Sequence, residues 1–246
     1  MFLKKFLFER LRQMKNITRK ILQKIGLHWL AGNLGVFRES KLAHQYCLGK
    51  GIEIGGSAHN PFALDTLNID YSDSMGTSFK KNEKHLCGTA LPVDIVAAGD
   101  YLPLADESQD FVVSSHVLEH FANPIKTLLE WDRVIRPMGI IFMIVPHKER
   151  TFDKKRERTP LVHLIDDFHS NSSGPTDDEH GHHHVWITED IVELIHHMMS
   201  AYQVAWDLLR VEDRDDKVGN GFTVIIRKLK SRAGTVIASD HRKSCH

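Results

Sequence analysis

The sequence predicts an α/β fold with a mostly parallel, seven-stranded sheet, helices on both faces, a helical extension ahead of it and an insertion after the fifth strand. Three observations predict it. Short runs rich in Val and Ile recur at 51–55, 66–70, 93–97, 111–115 and 139–145, and most end in Gly, Asp or Ser. Between the last two runs, residues 124–135 place Ile125, Leu128, Leu129, Trp131 and Val134 at helical spacing, and strand–helix alternation is the signature of a parallel sheet. Near the end, GFTVIIR at 221–227 reads as a further strand with residues 204–211 as its neighbour, an antiparallel pair added to a parallel sheet.

The elements follow in order. Residues 1–48 read as a basic, amphipathic helical extension. Leu3, Phe6, Leu7, Leu11, Met14, Ile21, Leu22 and Ile25 recur near helical spacing. Eight Lys and Arg stand against Glu9 alone in residues 1–30, so this segment carries +7 and the remainder −7. Such a helix suits peripheral contact with an anionic membrane surface, or packing on the core with its lysines in water. A second helix is predicted over 38–48 and ends at Gly49–Gly51. The main domain spans 49–230. Residues 147–186 are polar and rich in His and Asp, leave the carboxyl edge of the sheet, and read as a lid over an acceptor site. Residues 231–246 read as a flexible tail.

Composition excludes several classes. Lys+Arg and Asp+Glu both number 32, and that balance gives no case for nucleic-acid binding. Cys47, Cys87 and Cys245 form no CxxC pair, which argues against a disulfide framework and for a reducing compartment. No apolar run approaches the roughly 18–20 residues that span a bilayer. The expected location is cytoplasmic, with peripheral contact at the inner membrane surface through residues 1–30.

Chemistry concentrates at strand ends. KGIEIGGS at 50–57 runs a strand into a glycine turn, where a side chain would block a ligand's approach to the main chain, and a helix is expected to follow. LNIDY at 67–71 ends the second strand on Asp70, whose carboxylate can accept from both hydroxyls of a ribose. The block GDYLPLADESQDFVVSSHVLEH occupies 99–120. Together with RVIRPMGIIFMIVP at 133–146, these motifs resemble the class I S-adenosylmethionine-dependent methyltransferases, and within them the type 11 group, over roughly residues 48–146.

The resemblance implies a Rossmann-like fold, methyl transfer and S-adenosyl-L-methionine as cofactor. It implies that Glu53, Gly55 and Gly56 line the methionine part and that Asp70 holds the ribose. Gly99 and Asp100 would border the adenine, and Ser115 and His116 would flank the methyl donor. Two positions depart from the pattern: Ser57 replaces a customary Gly, and Ala98 replaces an Asp that contacts adenine. NAD is the rival nucleotide. The pattern that seats a pyrophosphate on a helix N-terminus is not met, and an acidic first turn suits a sulfonium better.

Methyl transfer to a hydroxyl requires alignment and a base, and His is the natural base near neutral pH. His147 and His116 are the expected acceptor-facing groups, ahead of His120. His116, Glu119 and His120 resemble a reversed zinc-protease signature, but they straddle a strand end and a helix start, so no metal is assigned. His180, His182, His183 and His184 form a second cluster that could supply imidazoles if the lid folds back. Arg150, Lys154, Arg156 and Arg158 could meet an anionic acceptor. The expected acceptor is a small polar molecule of the sugar or glycan-intermediate class. A silent binding scaffold and an RNA methyltransferase are the alternatives.

Overall fold

A computed structural model of the chain describes Met14, Thr18 and residues 40–56, 62–87, 90–172, 181–202 and 204–230, the side chains of residues 86 and 87 excepted. Most of the basic extension and all of the 231–246 tail lie outside the described residues, as do Ser57, His180 and Cys245.

The strands are β1 Gly51–Ile54, β2 Thr66–Asp70, β3 Ile95–Val96, β4 Gln109–Ser115, β5 Ile135–Pro146, β6 Trp206–Glu212 and β7 Gly221–Lys228. They form one sheet in the order β3-β2-β1-β4-β5-β7-β6. β7 runs antiparallel to both β5 and β6, and the remaining pairs are parallel. The predicted seven-stranded, Rossmann-like sheet is therefore present. Its order reverses direction at β1, with β2 on one side and β4 on the other. In open α/β sheets the crevice outside the carboxyl ends of such strands is where ligands bind.

The helices are α1 Lys41–Tyr46, α2 Ser78–Cys87, α3 Pro124–Val134, α4 Leu161–His169 and α5 Thr188–Ala201. Local chemistry sets their starts. Ser40 Oγ accepts from Ala43 N–H at 3.0 Å at the head of α1. Asn123 Oδ1 accepts from Lys126 N–H at 2.9 Å, and Pro124 occupies the first turn of α3 where its missing N–H costs nothing. The central strands β4, β5 and β7 are apolar on both faces, as a doubly covered sheet requires. Ile52, Ile54, Val112, Ile141, Met143 and Val224 pack with Leu128 and Trp131 of α3 and Leu194 and Ile195 of α5. On the opposite face Phe111, Val113, Phe142, Ile144 and Ile225 pack with Phe62, with Ala43 of α1 and with Cys47 at its C-terminal cap.

One expectation changes, and another falls largely outside the described residues. The helix expected after the glycine turn would begin in residues 57–61, which are not described. Only residues 55–65 join β1 to β2, eleven in all, and residues 62–65 are not helical. A parallel crossover through a helix ordinarily needs a dozen residues or more. The buried ring of Phe62 packs edge-on against Phe142 at 5.8 Å on this face. β5 starts at Ile135, directly after α3, rather than at 139. A register shift opposite Gln109 and Phe111 absorbs Met138 at φ 72°.

The described parts of the insertion after β5, residues 147–172 and 181–186, form defined elements. Two 3-10 turns, Lys148–Arg150 and Phe152–Lys155, lead to α4, and the chain returns to a parallel bridge between His147 and Trp186. Leu164 of α4 and Trp186 are buried in the core. Among the described residues, no helix is long and apolar enough to cross a membrane.

Candidate active site

The glycine turn and Asp70 stand side by side. Ile54 registers with Ile69, and Gly55 N–H donates to Ile69 O at 2.8 Å, so the bend lies next to the end of β2. Gly55 has φ +66°, and a Cβ there would sit 2.7 Å from Val117 Cγ2. A Cβ on Gly56 would sit 2.2 Å from Asn68 Oδ1. Both positions need glycine, one for its backbone angle and both for space. Val117 follows β4, so the bend closes against the strand on the far side of the switch point. Asp70 is nearly buried, and its Oδ1 accepts from Tyr71 N–H at 2.8 Å. Burial raises its pKa, while the charge of Lys80 and the Tyr71 bond act in the opposite sense.

Glu53 is buried in β1, and Thr66 Oγ1 donates to its Oε2 at 3.3 Å. Gly99 packs beside the end of β1. A Cβ there would meet Phe121 and Ile54 within 2.8 Å, and its carbonyl accepts from Trp131 Nε1 at 2.8 Å. Asp100 is held by Lys126, with Nζ 3.0 Å from Oδ2. Ser115 is buried at the end of β4, and His116 follows it at φ 55°, a conformation rare outside glycine that turns the chain out of the strand.

A buried ion pair that the sequence reading missed fastens this turn. Lys80 of α2 donates to Gly56 O, to Leu91 O at 3.0 Å and to Glu83 Oε2 at 2.9 Å. Glu83 Oε1 accepts from Leu91 N–H at 2.8 Å. Both side chains are 1% exposed or less. Burial pushes the Glu83 carboxyl up to about 7, against the pull of Lys80. The only signal in the sequence is a Lys three residues before a Glu, which is ordinarily a solvated helix pair.

His147 directly follows β5 and caps the 3-10 turn Lys148–Arg150. Its Nδ1 accepts from Glu149 N–H at 3.1 Å, which leaves the proton on Nε2, 3.7 Å from Asp213 Oδ1. Burial lowers its pKa, and Arg150 adds to this. The three arginines of the basic stretch after it each pair with a carboxylate of this chain. Arg150 pairs with Asp213, Arg156 with Asp153 and Arg158 with Asp190. The expected role of these arginines as free anion receptors is therefore replaced by a structural one.

Residues 181–184 lie against the turn after β4 and bring imidazoles to it. His183 N–H and His184 N–H both donate to Glu119 O, at 2.8 and 3.2 Å. The His120 and His182 rings meet edge to face at 4.9 Å, with Phe79 of α2 and Phe152 flanking them at 5.8 and 4.6 Å. Burial pushes His120 and His184 down to about 4 and the Glu119 carboxyl up to about 8. The imidazoles are thus neutral at physiological pH, with a lone pair available on each.

The family model described as "Methyltransferase domain" matches residues 48–143. An uncharacterized protein of Methanocaldococcus jannaschii is 28% identical over 118 residues, covering 45% of this chain and 53% of the relative. An uncharacterized methyltransferase of Mycobacterium ulcerans is 37% identical over 90 residues, covering 35% of this chain and 34% of the relative. The chain thus spans about half the length, or less, of these curated relatives. Among solved structures, an S-adenosylmethionine-dependent methyltransferase of Thermotoga maritima aligns at TM-score 0.48 and 16% identity, over 77% of this chain and 86% of that one.

Proposed function

We infer, from a chain whose residues 48–143 form a methyltransferase domain of the class I, type 11 group, that this protein transfers a methyl group to a small polar acceptor. The cofactor of this domain is S-adenosyl-L-methionine, which supplies an electrophilic methyl on a cationic sulfur. A sugar or glycan intermediate is the acceptor class we favour, because hydroxyl acceptors call for neutral bases at the crevice and the described rim supplies imidazoles. One observation carries the reading: a main-chain bend that admits no side chain lies beside a nearly buried carboxylate at the switch point.

The residues present fit the cofactor. Asp70 offers an acceptor to a ribose diol, and Glu53 and Asp70 suit a ligand without phosphates that carries positive charge. Gly99 and Asp100 border the adenine side, with Lys126 fixing Asp100. Gly55 and Gly56 leave room for the methionine part. Ser115 and His116 face the methyl-bearing end, and His116 is the group we assign to take the acceptor proton. His147, held by its cap and by Asp213, borders the acceptor from the next strand. The described residues of the insertion after β5 exclude water over this rim.

Calorimetry on the full chain tests the donor half. S-adenosylmethionine should bind, and Asp70→Ala should weaken it at least tenfold, since a hydrogen bond to a charged group is worth about 1.5–3 kcal/mol. Equal affinity in the variant, or no binding to the wild type, overturns the reading. Incubation with labelled cofactor and a polar metabolite extract tests the acceptor half, and label should appear in that fraction. Label confined to RNA, or cofactor binding without turnover, would replace this acceptor class with an RNA substrate or a binding role.

A further inference from the structure

Three ligand-type side chains converge beside the turn after β4 with no hydrogen bond among them. Glu119 is fully buried, and neither of its carboxylate oxygens meets a hydrogen-bond donor from another residue. His120 Nε2 and His182 Nε2 each stand 3.7 Å from Glu119 Oε1. The tautomers follow from what the other ring nitrogens touch. His120 Nδ1 lies 3.0 Å from Gly181 O, a group that only accepts, so Nδ1 carries the proton. His182 Nδ1 lies 2.6 Å from Asp153 Oδ2, and Asp153 is paired through its other oxygen with Arg156 at 2.7 Å. The His182 proton therefore also sits on Nδ1. Both Nε2 lone pairs face a carboxylate. A proton on Glu119 does not resolve this, because an O–H donor bonds at about 2.5–3.0 Å and does not reach across 3.7 Å.

We propose that Glu119, His120 and His182 form a binding site for one divalent transition-metal cation, held through the carboxylate and the two Nε2 atoms. The three ligand atoms lie within 4.8 Å of one another. Metal–ligand bonds of about 2.0–2.2 Å bring such atoms to roughly 3.3 Å apart, so side-chain adjustments of about an ångström complete the site. Two imidazoles with one carboxylate favour zinc, iron, cobalt or nickel over calcium or magnesium. The outer contacts are those that orient metal-bound histidines: His182 is aimed by Asp153, which Arg156 holds while also donating to His182 O at 2.7 Å. Three protein ligands leave coordination positions open. His120 is the most exposed of the three, at 25%, and provides the entry side. Because the ligands come from the turn after β4 and from the insertion, the cation fastens the lid to the rim. That an open position receives an acceptor oxygen rests on the proposed methyl transfer. The cation site itself does not.

Titration of chelator-treated full-length protein with ZnCl2 and CoCl2 tests the site without cofactor or acceptor, so it fails or succeeds separately from methyl transfer. We expect a cobalt visible spectrum that saturates at one equivalent. Glu119→Gln and His182→Ala should each weaken zinc binding at least a hundredfold, and Asp153→Asn about 10–100-fold. His163→Ala, which removes part of the neighbouring His163–Asp167–His184 group, should leave it unchanged. Circular dichroism confirms that each variant folds. Should a variant not fold, zinc-edge X-ray absorption on the wild type decides instead, with two imidazoles and oxygen in the first shell expected. Absence of saturable binding, loss of the cobalt spectrum in His163→Ala, full affinity in Glu119→Gln or His182→Ala, or a shell without imidazole overturns the proposal.

Discussion

At the ends of β1 and β2 the protein presents bare main chain and one carboxylate; just across the crevice, at the end of β4, it presents a crowd of rings. The two regions touch, since Val117 packs against Gly55 and stands two residues before Glu119. They are nevertheless made by opposite means. The glycine bend works by what it lacks, and any side chain added there collides with Val117 or Asn68. The imidazole cluster works by what it collects, from the turn after β4 and from an insertion that folds back through the bridge between His147 and Trp186. A bend of this kind is rigid and intolerant, whereas a collected cluster can lose one member and keep its fold.

That contrast can be broken or sharpened. The largest effect is expected for Gly55→Val, which places a branched side chain at φ +66° with a Cβ 2.7 Å from Val117 Cγ2. It should abolish measurable S-adenosylmethionine binding and destabilise the fold by about 2–4 kcal/mol, read by calorimetry and urea unfolding. Next comes Lys80→Met, which strands the Glu83 carboxylate in the core and should cost about 3–5 kcal/mol in urea titration. Adding Glu83→Gln should recover much of that loss, and failure to recover it would mean that Lys80 acts through Gly56 alone.

The pH dependence is smaller. Folded Glu83 holds its proton up to about pH 7, whereas an unfolded Glu releases it near pH 4.3. Between these values the folded state binds more protons, so this group's contribution to stability is greatest below the unfolded pKa. It falls as pH rises through the window, at up to about 1.4 kcal/mol per pH unit, and levels off above 7. Comparing urea midpoints of wild type and Glu83→Gln from pH 4.5 to 8 should isolate this slope. The smallest effect is expected for Phe152→Ala. This ring lies 4.6 Å from His182 but is 71% exposed, so zinc affinity should change only by about two- to fivefold and S-adenosylmethionine affinity not at all.

Much of the sheet is legible because its signals are local. Runs of Val and Ile set the strands, Pro124 after Asn123 sets the start of α3, and IEIGG followed by NID places the bend beside a carboxylate. What escapes the sequence depends on partners far along the chain. Lys80 and Glu83 sit in SFKKNEKHLC, which reads as a solvated helix, yet both are buried against Gly56 and Leu91. The helix expected after the bend falls largely on residues 57–61, outside the described residues, and the eleven residues between β1 and β2 are fewer than a helical crossover ordinarily uses. Arg150, Arg156 and Arg158 read as a free basic stretch until Asp213, Asp153 and Asp190 meet them. Glu119, His120, Asp153 and His182 come together only when the insertion closes, so the two histidine motifs are visible separately and their shared centre is not.

The Lys80 ammonium links the glycine bend to a whole helix through one carbonyl. Whatever settles against that bend also steadies α2, so the helix doubles as an occupancy reporter. Deuterium uptake across residues 78–85 should slow when the crevice fills, and severing the link at Lys80 should silence that signal even where some ligand still enters.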